Sequence, residues 1–458
     1  MAAPTDVVAQ LGERAIVAGA GIGGLIAAGV LADFFADVVV LEKDALPPQT
    51  GQPRQRKGTP QDGQIHVILK GGDNGFEAVF PGFRAALAGA GATPLEFGKD
   101  IQTFEGGRRH SPNPTGIMAH SQTRPLLEHT VRGLLAKRGN VRVLDETRLL
   151  DIRHSPNGVI GGPVTGVEIT DKAGLRTILQ AELVVEALGR SGYTGRWLAK
   201  NLGQAVPETE LGIDLVYTSA LLHRTPFWRG RNFGWVVRPT PPHNTKSGVL
   251  IPMEDNRWMM TLSGRFGEVP PSDQQGFMAY AAQLEDDALY QAAGQAEFAT
   301  PITTYRIPRM IWRHYDQLKD FPDRLIPLGD TIAGFNPLAA QGMSVAALQA
   351  IALRDVLRDS LRDCAVGDLA TASRRYMTKA MQIAADAWSM GEMIDFAYPQ
   401  ARGHRPDDLA QRLANRAAIF KLATKDHEVR ALVFDVQNML KRPSALYNAD
   451  LLARANSV

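Results

Sequence analysis

The sequence has almost no cysteine. Of 458 residues only Cys364 carries a thiol, which excludes an internal disulfide framework and a metal centre built from several cysteines. Net charge is nearly absent too: 50 Lys and Arg stand against 48 Asp and Glu, a formal +2. With no excess of one sign, nothing in the electrostatics argues for nucleic acid as the main partner. Long apolar runs are missing. The longest are short or carry charges, so no spanning helix is expected, and the first residues lack the basic start and apolar core of a secretory signal. There is no convincing repeat and no low-complexity tract. These absences leave an ordinary globular chain, 44% hydrophobic and 21% charged, long enough for about three domains. It is expected to be soluble and cytoplasmic. Nothing in it sets an oligomeric state.

What is present begins with "AIVAGAGIGGLIAAGVLA" at 15–32. Residues 14–18 read as a first strand. Gly19 allows a sharp turn out of it, Gly21 lets the backbone approach a pyrophosphate, and Gly24 lets the following helix pack against the strand. The free N–H groups and partial positive charge of that helix N-terminus face the phosphates. A second strand, "DVVVL" at 37–41, ends in Glu42. That carboxylate follows Gly24 at close to the roughly 20-residue spacing of a ribose-hydroxyl acceptor. It argues against a 2′-phosphate, so NAD and FAD remain.

Further strands are expected at 140–144, 181–190 and 324–330, and helices at 123–138 and 343–362. Residues 211–266 alternate apolar and polar, as antiparallel sheet does. Residues 365–458 read as helical, with polar linkers near 399–407. A second motif, "LGDTIAGFNPLAAQGMSVAALQAIALRDVL" at 328–357, closes a strand with Gly329 and Asp330, turns at Pro337, and opens a helix at Gly342-Met343 with Ser344 as a possible cap. Asp330 can bind a ribityl or ribose hydroxyl. The helix N-terminus can stabilise the negative charge of a reduced flavin. The two motifs suit opposite ends of one FAD.

On these residues the chain resembles the group A FAD-dependent monooxygenases, most narrowly the squalene-epoxidase-like branch that includes polyether epoxidases. The likeness extends to "RKGTPQDGQIHVIL" (56–69), "SQTRPLLEHTVR" (121–132), "VVEALGR" (184–190), "GVLIPMEDNRWMMTLSG" (248–264), "FNPLAAQGM" (335–343) and "DAWSM" (386–390). It implies an α/β fold: a Rossmann-type FAD-binding domain, glutathione-reductase-like and para-hydroxybenzoate-hydroxylase-like, with an inserted antiparallel substrate sheet and a helical C-terminal region. The FAD-binding domain is expected from 1–70, 121–205 and 300–364, the substrate sheet from 71–120 and 206–299, and the helical region from 365–458. Non-covalent FAD is expected on Gly19, Gly21, Gly24, Glu42, Lys43, Arg56, Arg124, Gly329, Asp330, Pro337, Gly342 and Met343. The flavin would be lined by Phe335, Pro337, Ala339 and Ala340, and no metal is required. The chain departs from the family pattern at Gly63 and Gln64, which leave only His66 of a histidine-bearing segment, at Glu186 in place of aspartate, and at the small pair Ala339-Ala340.

The reaction implied is capture of O2 as a flavin C4a-hydroperoxide and transfer of one oxygen to an apolar unsaturated or aromatic natural-product intermediate, by epoxidation or hydroxylation. NADH, NADPH or a partner flavin reductase would supply electrons. Epoxidation needs no base, whereas phenol hydroxylation is helped by one; His66, Tyr217 and Tyr305 are the candidates. Arg306 and Arg309 either bind an acidic group or bridge domains. Phe227, Trp228, Phe233 and Trp235 either face an apolar substrate or pack a core. Substrate is expected against Val249, Ile251, Met259 and Leu262. A flavin-dependent halogenase, a double-bond reductase and a non-catalytic lipid- or prenyl-binding escort share the fold, and the halogenase signature Trp-x-Trp-x-x-Pro is missing.

Overall fold

Runs of buried β-branched residues build the central sheet of the computed structural model, which describes residues 10–155, 162–363 and 369–457. Gly12–Ala18 and Phe35–Leu41 lie side by side, with Val17 opposite Val40. Val141–Leu144 extends the sheet beyond Phe35–Leu41, and Leu183–Glu186 and Leu325–Pro327 extend it on the other side. All five strands pair in parallel; the inner ones are apolar runs covered on both faces, while Val141–Leu144 is a partly exposed edge. Segments separated by most of the chain thus form one sheet. The Ile22–Leu31 and Gly342–Asp363 helices pack together over it.

A second sheet has eight strands, in the order Ala333–Gly334, Thr303–Arg313, Glu208–His223, Arg257–Arg265, Ser247–Met253, Gly234–Val237, Ile101–Glu105 and Arg108–Arg109. Its pairings are antiparallel except one: Gly234–Val237 runs parallel to Ile101–Glu105. The departure from a purely antiparallel sheet has a simple cause. Ile101–Glu105 arrives through a long excursion from elsewhere in the chain, and so is free of the hairpin constraint. The helices Gln274–Ala281 and Ala288–Ala293 cover one face over a core of Trp258, Phe277 and Leu289.

Two boundaries differ from the sequence reading. Thr303–Arg313, placed there in the FAD-binding domain, pairs along Glu208–His223 as part of the large sheet. Residues 71–79, placed there in the substrate domain, belong to the Lys70–Val79 helix, which packs on Gly342–Asp363. Gly72 allows that approach, since a Cβ there would lie 2.6 Å from Ser344. The C-terminal helices Ala372–Asp395, Leu409–Ala423, His427–Gln437 and Ala449–Asn456 are as expected, and residues 399–407 are non-helical. The last three helices share a small core that includes Ile419, Leu422, Val433 and Leu451. Cys364, at the expected domain boundary, lies outside the described residues. Among the described residues no helix is long and apolar enough to cross a membrane.

Candidate functional site

The glycine turn has three distinct geometries. Gly19 sits at φ +105°, and a Cβ there would come within 2.6 Å of the Ala187 carbonyl oxygen. At Gly24 a Cβ would lie 1.8 Å from the Gly19 oxygen, so the helix can lie against the turn only without a side chain. At Gly21, the N-cap of Ile22–Leu31, a Cβ would meet nothing within 4 Å. The turn is therefore closed at Gly19 and Gly24 and open at Gly21, where the helix N-terminus leaves its first N–H groups free.

Glu42 is buried at the end of its strand. It accepts the Ala20 N–H at 3.0 Å and the Asp44 N–H at 3.1 Å, and lies 3.2 Å from Arg56 Nη1. Arg56 is also paired with Asp44 and Glu128. These carboxylates outweigh its burial and hold the guanidinium charged. Arg124 opens the Arg124–Leu135 helix, whose cap Thr123 is held by Glu254 from the large sheet's hairpin turn. Arg124 Nη2 reaches Glu128 at 3.5 Å, while its buried Nε has no partner. An unpaired buried donor beside an open turn is what a phosphate or ribityl oxygen would satisfy.

Across from the turn, Gly329 sits at φ +70° and donates its N–H to Gln349 Oε1 at 2.7 Å. Asp330 is about a third exposed, with Arg190 Nε 3.5 Å away. Pro337–Ala339 forms a 3-10 turn ending at Ala340 in the left-handed region, φ +55°, before the helix opens at Gly342. Ser344 is not the cap of that helix. It lies inside the first turn, fully buried, and its Oγ accepts the Leu69 N–H at 2.9 Å, tying segment 56–69 to the helix. Glu186 is also fully buried. It accepts N–H groups from Leu188, Tyr193 and Thr194 and the hydroxyls of Thr194 and Thr331, and so clamps two loops at once.

The turn and the loop open into one cavity of about 1520 Å³. Every residue nominated from sequence for cofactor or flavin contact lines it except Gly24, whose role is internal to the turn. One face of the large sheet forms a wall. Tyr217, Val249, Ile251, Tyr305 and Ile307 face the cavity.

No family model matches the chain. It is 30% identical over 400 residues to Protein Rv3254 of Mycobacterium tuberculosis (strain ATCC 25618 / H37Rv), covering 85% of this chain and 81% of the relative. The chain belongs to the Rv3254 family. Among solved structures it resembles PqsL, a probable FAD-dependent monooxygenase from Pseudomonas aeruginosa. That likeness has a TM-score of 0.63 at 19% identity, over 88% of this chain and 98% of that one. It also resembles the flavin-dependent brominase Bmp2, with a TM-score of 0.66 at 11% identity over 97% and 98%. A third is 2-methyl-3-hydroxypyridine-5-carboxylic acid oxygenase, with a TM-score of 0.58 at 16% identity over 87% and 91%. These likenesses establish the fold of this Rv3254 relative: α/β, with the inserted sheet and helical C-terminal region.

Within that fold several sequence expectations are corrected. Leu262 does not face the cavity. It pairs opposite Gly248 and points into the core under the two covering helices, because residues an odd number apart on a strand face opposite ways. Met259 lies beside Ile251 in a small cluster and does not line the cavity. Trp228, Phe233 and Trp235 pack with Trp258, with 5.0 Å between the Trp228 and Trp235 centroids; Phe227 lies exposed at the edge of this cluster. None of the four sequence-nominated aromatics lines the cavity. Arg306 and Arg309 are exposed and outside it. Arg309 pairs at 2.9 Å with Glu210 on the neighbouring strand, so the pair stays within one sheet.

The candidate bases His66, Tyr217 and Tyr305 all face the cavity. Burial and the nearby Arg124 pull the His66 pKa down to about 3, so its imidazole is neutral and weakly basic. Burial and Tyr305 push the Tyr217 hydroxyl above its usual range, which makes it a donor. Two features were missed from sequence. Arg265 and Asp395, both essentially unexposed, form an ion pair that also receives Asn336 Nδ2 at 2.8 Å, linking sheet, C-terminal helix and the 335–343 loop. The C-terminal helices supply a second wall through Met390, Tyr398, Arg416, Phe420 and Phe434. The only signal was spacing: Arg416, Phe420 and Ala423 fall on one helical face.

Proposed function

We propose that this chain binds FAD non-covalently and acts as a monooxygenase, placing one atom of O2 into an apolar unsaturated or aromatic small molecule while the other leaves as water. The observation that carries the reading is the single cavity that joins an open glycine turn to an apolar sheet face. Bound FAD, reduced by NADH, NADPH or a partner reductase, supplies the oxygen-activating chemistry.

The chain's own residues then have definite tasks. The N–H groups after Gly21 and the unpaired Arg124 Nε would hold the pyrophosphate and its neighbours. Glu42, held by Ala20 and Arg56, would receive the adenosine ribose. The N-terminus of Gly342–Asp363 would lie toward the flavin ring. Pro337, Ala339 and Ala340 leave space beside the ring, and Val249 and Ile251 hold an apolar substrate and exclude water. His66 is weakly basic and Tyr217 a donor, so neither is set to remove a substrate proton. That supports epoxidation over phenol hydroxylation, in keeping with the squalene-epoxidase-like branch.

Acid precipitation should release the flavin into the supernatant. Turnover under labelled O2 should put one labelled atom in the product. A halogenated product without label would move the chain to the halogenases, and a reduced one to the double-bond reductases. A colourless preparation that gains no flavin on incubation with FAD would overturn the reading.

A further inference from the structure

The far end of the cavity has no task in this reaction. The cavity-facing wall of the large sheet runs from Tyr305 to Glu105, from the Thr303–Arg313 strand to the Ile101–Glu105 strand. That is five interstrand steps, or about 24 Å at ~4.8 Å each. Alternate residues face the cavity along the wall: Ile101, Thr103 and Glu105 on one strand, Ser247, Val249 and Ile251 on another. Phe420 and Phe434 close this end from the C-terminal helices. The chamber is long, and mostly apolar on both walls until its last turn.

Arginines gather at that end, and most are already engaged. Arg109 pairs with Asp286 and Asp287. Arg430 donates to the carbonyls of Ala423 and Thr424 and so caps a helix. Arg238 lies 3.8 Å from Glu105, with its Nε otherwise unbonded. Arg108 is exposed at the rim, where solvent screens it. Arg416 differs from all of these. Among the described residues it makes no ion pair or hydrogen bond, and its guanidinium lies over the Phe420 ring at 4.7 Å. Burial and the neighbouring Arg238 lower its pKa, and Glu105 only partly offsets them. A half-buried guanidinium whose one nearby carboxylate, Glu105, also lies beside Arg238 keeps room for an anion, and its planar fork matches a carboxylate's two oxygens.

Resting on the monooxygenase reading, we infer that the substrate is a long-chain unsaturated carboxylate. Its head group docks between Arg416 and Arg238, and its chain lies along the sheet toward the 335–343 loop. Two guanidiniums, Arg416 and Arg238, against the one carboxylate of Glu105 leave a single positive charge to balance, which calls for a monoanion and selects a carboxylate over a phosphate. The anchored head group sets which carbon along the chain reaches the flavin.

Calorimetric titration of the purified protein with palmitoleate, methyl palmitoleate and hexadecyl phosphate tests this. Palmitoleate should bind about tenfold or more tighter than its methyl ester. Arg416→Met should erase that advantage while leaving the ester's affinity and the flavin content unchanged, and Arg416→Lys should restore part of it. Equal affinity for acid and ester, an advantage that survives Arg416→Met, tighter binding of hexadecyl phosphate, or no binding of any probe would each overturn the proposal. A flavin-free protein that still prefers the acid would sink the oxygenase reading alone, because the titration needs no turnover.

Discussion

Arg56, at the glycine turn, stands among Glu42, Asp44 and Glu128. Arg416, at the other end of the same cavity, makes no ion pair or hydrogen bond among the described residues; it lies over the ring of Phe420 and feels Glu105 only at a distance, shared with Arg238. Both are partly withdrawn from solvent, yet one is over-compensated and the other under-compensated. At the first end the charges balance within the protein, so Arg56 works as a clamp. At the second the balance is incomplete, which is the basis for the anion site inferred above. A buried arginine is thus not by itself a binding residue; what distinguishes the two is whether its counter-charge is already present.

The comparison can be broken most severely at Gly24. Gly24→Ala drives a methyl into the Gly19 carbonyl. It should cost about 3 kcal/mol or more, lowering the thermal midpoint and the flavin content together. Gly21→Asp should separate the two effects. Its Cβ meets open space and aspartate is a good N-cap, so apo-protein stability should stay within about 1 kcal/mol of wild type. Flavin binding, read by absorbance after incubation with FAD, should be lost, because a carboxylate then opposes the pyrophosphate. Equal damage to stability by both variants would mean that Gly21 is structural too.

The Arg265–Asp395 pair tests the compensated kind of arginine away from the turn. Arg265→Met strands a fully buried carboxylate and should destabilise by about 3–5 kcal/mol in denaturant titrations. Adding Asp395→Leu should recover much of that loss. If the double variant is no better than the single, the pair is not self-contained.

His66 sharpens the picture through pH. Its folded pKa of about 3 lies below the ordinary histidine value. The unfolded chain therefore binds more protons between about pH 6.5 and pH 3, and stability falls as pH is lowered through that window. Asp62 and Asp395 act in the opposite sense, since burial raises their pKa values. Comparing His66→Gln with wild type isolates the histidine: the variant should lose stability less steeply between pH 6.5 and pH 4. Superimposable pH profiles would contradict the burial of the imidazole. The smallest effect is expected at Arg309→Ala, which breaks an exposed pair with Glu210 and should change stability by no more than about 0.5 kcal/mol.

Much of the architecture was readable without coordinates. Each of the five parallel strands was visible as a short apolar run, and the tight turn at Gly19 and the close packing at Gly24 followed from spacing alone. The errors have physical causes. Leu262 was put on the wrong face because one residue of strand register reverses a side chain. Ser344 was read as a helix cap because caps are local, whereas its actual partner is Leu69, 275 residues away. For Arg306 and Arg309 two alternatives stood open, an acidic ligand or a bridge between domains, and the structure shows both exposed, with Arg309 paired inside one sheet, because which way a strand turns decides what a charge meets.

The sequence by itself determined the glycine turn, the strands and the helical tail. Those depend on backbone freedom and apolar periodicity over a few neighbouring residues, interactions that chain order places side by side. Only the tertiary structure decided that Arg56 would be neutralised and Arg416 left unpaired, that the C-terminal helices would form a wall, and that Asp395 would reach both Arg265 and Asn336. Counter-charges and cavity walls come from segments tens to hundreds of residues apart. Their effect depends on distance and burial, which the order of residues does not express until the chain is folded.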